Sequence, residues 1–231
     1  ISMFTGRFPH EVGVYANINP PVPKLKTLKW LGKHLKDHGY DTALIGKWHI
    51  VVDPEEGADV HGFDFVPFGR TYSDHLVPMG CEDFLQQERD KPFFMVASFI
   101  DPHDICGWAR GDKLYNGNIG DPPPADSCPP LPKGFSLPLD EPEVLKKTRK
   151  RFPGHHPTID WEREKWRQYL WANYRLIEVV DRRIGEIIDA MKVNGLWDDS
   201  VIIFTSDHGE GMARHHWNQK QALWDTPTRV P

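Results

Sequence analysis

Cysteine is scarce in this sequence. Of 231 residues only Cys81, Cys106 and Cys128 are cysteines. Three are too few for a disulfide framework and show no metal-ligand spacing, so at most one pair could bridge and free structural thiols are expected. No apolar run reaches the length that crosses a bilayer. A formal net charge of −5 offers no broad basic surface for nucleic acid. No Gly-x-Ser-x-Gly elbow is present, no glycine-rich phosphate loop and no His-Glu-x-x-His. The serine-hydrolase, P-loop and zinc-protease chemistries that depend on those motifs are therefore excluded. Internal repeats are absent too. The sequence opens without the basic and apolar regions of a secretory leader, which leaves the compartment undecided.

What is present is ordinary in bulk and uneven in detail. The length suits one substantial domain with a real core. Proline is plentiful at 21 residues and concentrated between Pro122 and Pro157; tryptophan and histidine number 9 and 12. Such a chain suits a polar pocket with flat apolar walls, but large aromatics in a core explain the composition equally well.

Periodicity predicts the elements. Leu25 to His38 reads as an amphipathic helix, with Leu28, Leu31 and Leu35 on one face and Gly39 as its stop. Thr42 to Ile45 reads as a short strand, and Glu82 to Arg89 as a helix. Phe93 to Ile100 is a continuous apolar run, the pattern of a strand buried on both faces of a parallel sheet. From Gly107 to Pro157 the sequence is irregular, an insertion-like excursion with a helical piece near Glu143 to Lys150. A long helix is expected from about Asp160 to Asn194, ended by Gly195, and a third buried strand from Val201 to Thr205. The order predicts an α/β fold with a mostly parallel sheet flanked by helices.

Each of the three apolar runs ends in a polar cluster: Lys47 and His49, Asp101 and His103, Asp207 and His208. Ligands bind beyond the carboxyl ends of such strands, so convergence of these clusters is a topological expectation. Taken singly, each residue has a plainer explanation. Lys47 could be a solvated strand-end lysine, His49 and His103 capping or core histidines, and Asp207 a turn residue. Pooled, and with Lys220 from the loop beyond, they suit a compact anion such as sulfate or phosphate. Lysine supplies charge, histidine a proton, and a carboxylate-bound metal neutralises the transferring group.

At these residues the sequence resembles the sulfatase family, of the alkaline-phosphatase-like superfamily. Gly39-Tyr40-Asp41-Thr42-Ala43-Leu44-Ile45-Gly46-Lys47-Trp48-His49 is similar to the family's Gly-Tyr-x-Thr stretch leading to Gly-Lys-Trp-His. Asp101-Pro102-His103 resembles its middle histidine segment. Tyr174 to Asp181 with Gly185, then Ser206-Asp207-His208-Gly209, resembles the approach to its second metal half-site. Lys220 and Arg229-Val230-Pro231 resemble its last active-site lysine and the strand entry after it. The Asp-His-Gly form resembles the branch containing iduronate-2-sulfatase, choline sulfatase and phosphonate monoester hydrolases. Ile1-Ser2-Met3-Phe4-Thr5-Gly6 is similar to the tail of the Cys-x-Pro-Ser-Arg-x-x-Leu-x-Thr-Gly motif. On that reading residues 1–231 are the core of the catalytic domain, incomplete at both ends. The nucleophile then lies upstream, and the segment alone is inactive.

The resemblance implies a sulfuric ester hydrolase acting on a sulfate ester of a saccharide or other alcohol through a formylglycine nucleophile. It implies catalytic roles for Lys47, His49, His103 and Lys220, and substrate binding by His103, Lys220 and His215. Asp207 and His208 become metal ligands. Calcium is the expected cation, with manganese or zinc better suited to the imidazole of His208. It also implies a periplasmic, secreted or lysosomal protein, a cytoplasmic one being the alternative, with no nucleic-acid partner. The competing functions are a phosphonate monoester or phosphodiester hydrolase of the same superfamily, and an inactive binding or scaffold segment.

Overall fold

The computed structural model describes residues 1–15, 25–50, 52–55, 57–151 and 157–230. Its principal elements, in chain order, are α1 (Leu31–Asp37), β1 (Asp41–Gly46), α2 (Leu76–Leu85), β2 (Phe93–Ser98), α3 (Ile105–Arg110), α4 (Glu143–Arg151) and α5 (Arg163–Val193). They fall into two compact units, Ile1–Ile100 with Arg182–Ser200 and Asp101–Asp181 with Val201–Pro231.

In the first unit β1 and β2 pair in parallel, in register from Asp41 opposite Phe93 to Gly46 opposite Ser98. A parallel pair needs a long crossover, and the chain between the strands supplies it, with α2 packed on both. Side chains alternate across the sheet. Ala43, Ile45, Phe93, Met95 and Ala97 join Val77, Cys81, Phe84, Ile187 and Met191 in one apolar cluster. Leu44, Phe94 and Val96 join Leu25, Trp30, Trp48 and Phe63 in another. Both faces are covered, which is why these strands read as unbroken apolar runs rather than alternating ones.

In the second unit α5 supplies the core. Trp166, Tyr169, Leu170, Ala172 and Leu176 pack with Ile105, Cys106 and Ala109 of α3 and with Ile119, Phe135 and Ala213. All three cysteines are free and buried. Among the described residues no helix is long and apolar enough to cross a membrane.

The structure corrects the sequence reading in several places. Val201–Thr205 forms no strand among the described residues, and Val201 and Ile203 are 92% and 83% exposed. Apolarity reports what a strand would bury, but a strand exists only where another accepts its backbone hydrogen bonds. The described residues of the second unit contain no such strand. The helix expected at Glu82 to Arg89 begins earlier, at Leu76, and ends at Leu85. Its buried positions Val77, Cys81, Phe84 and Leu85 set the true phase, with Pro78 tolerated in the first turn. Leu25 to His38 is not one helix. Trp30 adopts extended backbone at φ −87°, ψ 144°, and its indole N–H donates to Leu25 O at 2.9 Å. The long helix starts at Arg163 rather than Asp160, and the second strand stops at Ser98. Residues 152–156 of the Gly107 to Pro157 excursion lie outside the described residues.

Candidate functional site

Each unit carries its own set of the predicted residues. In the first, the geometry begins at Gly46, whose φ is +110°. A Cβ there would lie 2.0 Å from Ser98 O and 2.9 Å from Val77 Cγ2, so only glycine lets β1 approach β2 this closely. The next residue, Lys47, continues the ladder by donating its N–H to Ser98 O at 2.8 Å. Trp48 is 1% exposed. Its indole donates to Val52 O at 2.6 Å, and it packs against Phe4, Trp30, His61 and Phe63. Lys47 and His49 flank this anchor, one half-buried and the other exposed.

The end of β2 is pinned by two residues that sequence reasoning missed. Buried Asp74 accepts the Ile100 N–H at 2.7 Å, and Arg183 lies 3.6 Å from its other oxygen. Asp74 thus fixes the backbone immediately before Asp101.

In the second unit, Asp101 accepts the Asp104 N–H at 3.0 Å. Asp104 precedes α3 and accepts the N–H groups of Tyr115 and Asn116 at 2.8 and 2.9 Å. His103, between these two aspartates, is exposed, and its carbonyl accepts the Cys106 N–H.

Asp207 and His208 sit side by side. His208 Nδ1 lies 2.8 Å from Gly209 O. A carbonyl can only accept, so Nδ1 carries a proton, and in the neutral ring Nε2 is the nitrogen with a lone pair. That nitrogen is 3.6 Å from Asp207 Oδ2, a separation at which two donors can share a divalent cation. The pair therefore fits a metal as part of a shell. Among the described residues no group of three carboxylate, histidine or cysteine ligands is assembled.

Below this pair the chain is stitched tightly. A Cβ on Gly209 would lie 2.0 Å from Thr226 O, and its N–H donates to Pro227 O at 2.9 Å. Glu210 accepts the Tyr169 hydroxyl at 2.7 Å and the Gln219 N–H. Burial raises the pKa of both Glu210 and Tyr169. Gln219 immediately precedes Lys220, so this network holds the lysine's backbone. Burial, with the charge of Glu210, pushes the Cys106 thiol up to about 11, and the Lys220 ammonium opposes it. Lys220 and α3 accordingly share one neighbourhood.

The loop between is strained. Met212, Ala213, His215, His216 and Gln219 all have positive φ, from 50° to 68°. Arg149 of α4 holds it. The guanidinium donates to His216 O and to Glu141, and to His215 O at 2.7 Å. It also lies 4.7 Å from the Trp217 ring. His215 Nδ1–H donates to Ser136 O at 3.1 Å, and its ring meets that of Trp224 at 4.6 Å. Glu141, Arg149, Tyr169 and Glu210 were invisible in the sequence, because nothing local ties Arg149 to carbonyls 66 and 67 residues away. Trp48 and Trp217, which adjoin the motifs, are core residues at 1% and 0% exposure, so sugar stacking does not fall to them; Trp108 is half-buried.

The sulfatase family model matches residues 1–231. The chain is 25% identical over 252 residues to the Delta 4,5-hexuronate-2-O-sulfatase of Bacteroides thetaiotaomicron, covering 100% of this chain and 50% of that one. It thus spans about half the length of the curated relatives it matches. The solved structure of a 2-O GAG sulfatase superposes with TM-score 0.78 at 24% identity, covering 100% of this chain and 51% of the other. The phosphonate monoester hydrolase of Agrobacterium radiobacter gives 0.62 at 19% identity, covering 100% and 56%. The α/β fold is that of these enzymes, and with the family model matched over its whole length the chain belongs to the sulfatase family.

Proposed function

We propose that the protein hydrolyses a sulfate ester of a saccharide or similar polar alcohol. The observation that carries this reading is the set of strand-end and loop residues itself. Lys47 is fixed by Gly46 at the end of β1, Asp207 and His208 present two donor atoms 3.6 Å apart, and Lys220 is held through Glu210. Membership of the sulfatase family supports it.

In the second unit Lys220 places positive charge on the sulfate oxygens. The family resemblance gives Lys47 the same kind of role, and His49 that of orienting the reacting end. His103, exposed ahead of α3, gives its proton to the leaving oxygen, which an alcohol leaving group requires. Asp207 Oδ2 and His208 Nε2 would hold a divalent cation, calcium by the oxygen donor and manganese or zinc by the imidazole. When bound, the cation supplies charge neutralisation at the transferring group, and formylglycine supplies the nucleophile. Residues 1–231 contain no Cys-x-Pro-Ser-Arg or Ser-x-Pro-Ser-Arg sequence. A periplasmic, secreted or lysosomal site of action goes with this reading.

The second reading, phosphonate ester hydrolysis, is favoured by the fold shared with the Agrobacterium enzyme. The same cations serve either anion. The test is turnover by the full-length protein, carrying its formylglycine, of sulfated saccharides, aryl sulfates and phosphonate monoesters side by side. Sulfate release is expected; turnover of the phosphonates alone would overturn the proposal.

A further inference from the structure

Arg214, His215, Leu223, Trp224, Asp225 and Thr226 line a cavity of about 250 Å³. We propose that it is a subsite for an acidic saccharide, binding a carboxylate or second sulfate on the sugar rather than the ester that is cleaved. This deepens the function proposed above and rests on it.

The lining has the chemistry of a sugar site. Trp224 and His215 pack on each other, with ring centroids 4.6 Å apart and planes tilted by 48°. Together they form an aromatic wall of the cavity on which the apolar face of a pyranose can pack. His215 Nδ1–H is engaged by Ser136 O, so its Nε2 is left to accept a sugar hydroxyl. Asp225 offers acceptor oxygens for the ring hydroxyls. Its ion pair with Arg229, at 3.8 Å, joins side chains 74% and 79% exposed, and such pairs are weak and easily exchanged.

Arg214 decides the charge of the ligand. Among the described residues no carboxylate lies within 4.0 Å of its guanidinium, which is also true of Arg7, Arg163 and Arg182, whereas Arg70, Arg89, Arg110, Arg149, Arg167, Arg175, Arg183 and Arg229 each have one. Of the four, only Arg214 lines this cavity. A planar fork of donors without an anion matches a carboxylate or sulfate bidentately. Arg214 is also fixed rather than free to swing away. Its backbone N–H donates to Gly211 O at 3.0 Å, which anchors the main chain, and its side chain packs over Gly134, where a Cβ would lie 2.9 Å from Nε.

Position relative to Lys220 fits a substrate longer than one sugar. His215 precedes Lys220 by five residues and Trp224 follows it by four. Five residues of chain reach at most about 17 Å, the span of a short oligosaccharide. The strained loop held by Arg149 thus carries the proposed sulfate-binding lysine and the proposed subsite together.

Binding tests this without any turnover. The full-length protein is titrated calorimetrically with three unsulfated or neutral probes and one sulfated probe. These are a uronate-containing disaccharide, the same disaccharide reduced to the neutral alcohol, and a neutral disaccharide bearing one sulfate, with the plain neutral disaccharide as reference. The wild type is expected to bind an anionic probe about tenfold or more tighter than the neutral ones. Which probe loses its gain in Arg214→Gln identifies the group recognised, since the proposed catalytic lysines also bind sulfate. Arg214→Gln should remove the preference and Arg214→Lys restore part of it, while Trp224→Ala weakens acidic and neutral probes alike. Thermal unfolding of each variant shows that it is folded. Equal wild-type binding of all probes, or gains for both anionic probes that are undiminished in Arg214→Gln, overturns the subsite. If the preference holds while no sulfate ester is turned over, the subsite stands and the proposed reaction falls; the converse result sinks the subsite alone.

Discussion

Replacing Arg149 by alanine should cost this protein more than any exposed substitution. The guanidinium is 11% exposed and its partner Glu141 only 6%. It holds the carbonyls of His215 and His216 in a loop where Met212, Ala213, His215 and His216 all have φ between 50° and 61°. Non-glycine residues in that region cost about 1–2 kcal/mol each, so the four store roughly 4–8 kcal/mol that other contacts must offset. Each charge-assisted hydrogen bond is worth about 1.5–3 kcal/mol. Removing the arginine also strands a buried carboxylate, and breaking a buried pair in this way costs about 3–5 kcal/mol. Arg149→Ala should therefore lower unfolding stability by about that amount, a large share of the ~5–15 kcal/mol of a typical domain, read as a fall in the urea midpoint at constant slope. Arg149→Met with Glu141→Leu separates stability from positioning. Apolar replacement of a buried pair is often close to neutral, so stability should return while turnover by the full-length protein stays depressed by about tenfold or more, because a misplaced group costs rate steeply. A loss under about 1 kcal/mol for Arg149→Ala, below what one such charged hydrogen bond contributes, would refute the reasoning. So would a double variant that regains both stability and turnover.

Gly46→Ala should destabilise by about 3 kcal/mol or more, since the methyl meets Ser98 O at 2.0 Å in a left-handed backbone; near-normal stability in urea would contradict the close strand approach. Acid should weaken the fold through His61 and His216, whose pKa values burial lowers from 6.5. His61 Nε2–H donates to Pro54 O while Nδ1 accepts the Phe63 N–H, an arrangement that only the neutral ring satisfies, and the nearby Asp53 and Asp64 offset the shift only in part. The unfolded state binds more protons, so this stability is complete above the unfolded value of 6.5 and is lost as pH falls through it toward the folded values. Unfolding midpoints from pH 7.5 to 5.5 should fall, and less steeply in His61→Gln; a flat profile contradicts the assignment. Burial pushes the Cys81 thiol up to about 12 and, as its main cause, Cys106 to about 11, so a disulfide reagent should label no thiol in the native protein and all three in denaturant.

What the sequence revealed and what it hid follow one rule. Phe93–Ser98 was legible because half-buried packing against an apolar cluster on each face leaves an unbroken apolar run, and α5 because its stripe repeats for many turns. Val201–Thr205 is an apolar run like β2 and yet stands exposed, because apolarity says nothing about who pairs with a strand. Short contiguous motifs, Gly46-Lys47-Trp48-His49 and Asp207-His208-Gly209, were readable as units because their spacing is local. The residues that support them were not. Asp74 reaches Ile100 across 26 positions, and Tyr169 reaches Glu210 across 41. Such partners belong to the fold rather than to any window of sequence. Trp48 shows the converse: it lies inside the motif, yet its work is in the core.

The central claim is tested most directly by kcat/KM for an alkyl sugar sulfate and for an activated aryl sulfate, measured on the full-length protein and on its His103→Ala variant. An alkoxide needs a proton to leave and an activated phenolate does not. The alkyl rate should therefore fall by about 10²–10⁴ while the aryl rate falls far less. An equal fall for both esters would remove His103 from the proton transfer, and a wild type that cleaves neither would contradict sulfate ester hydrolysis itself.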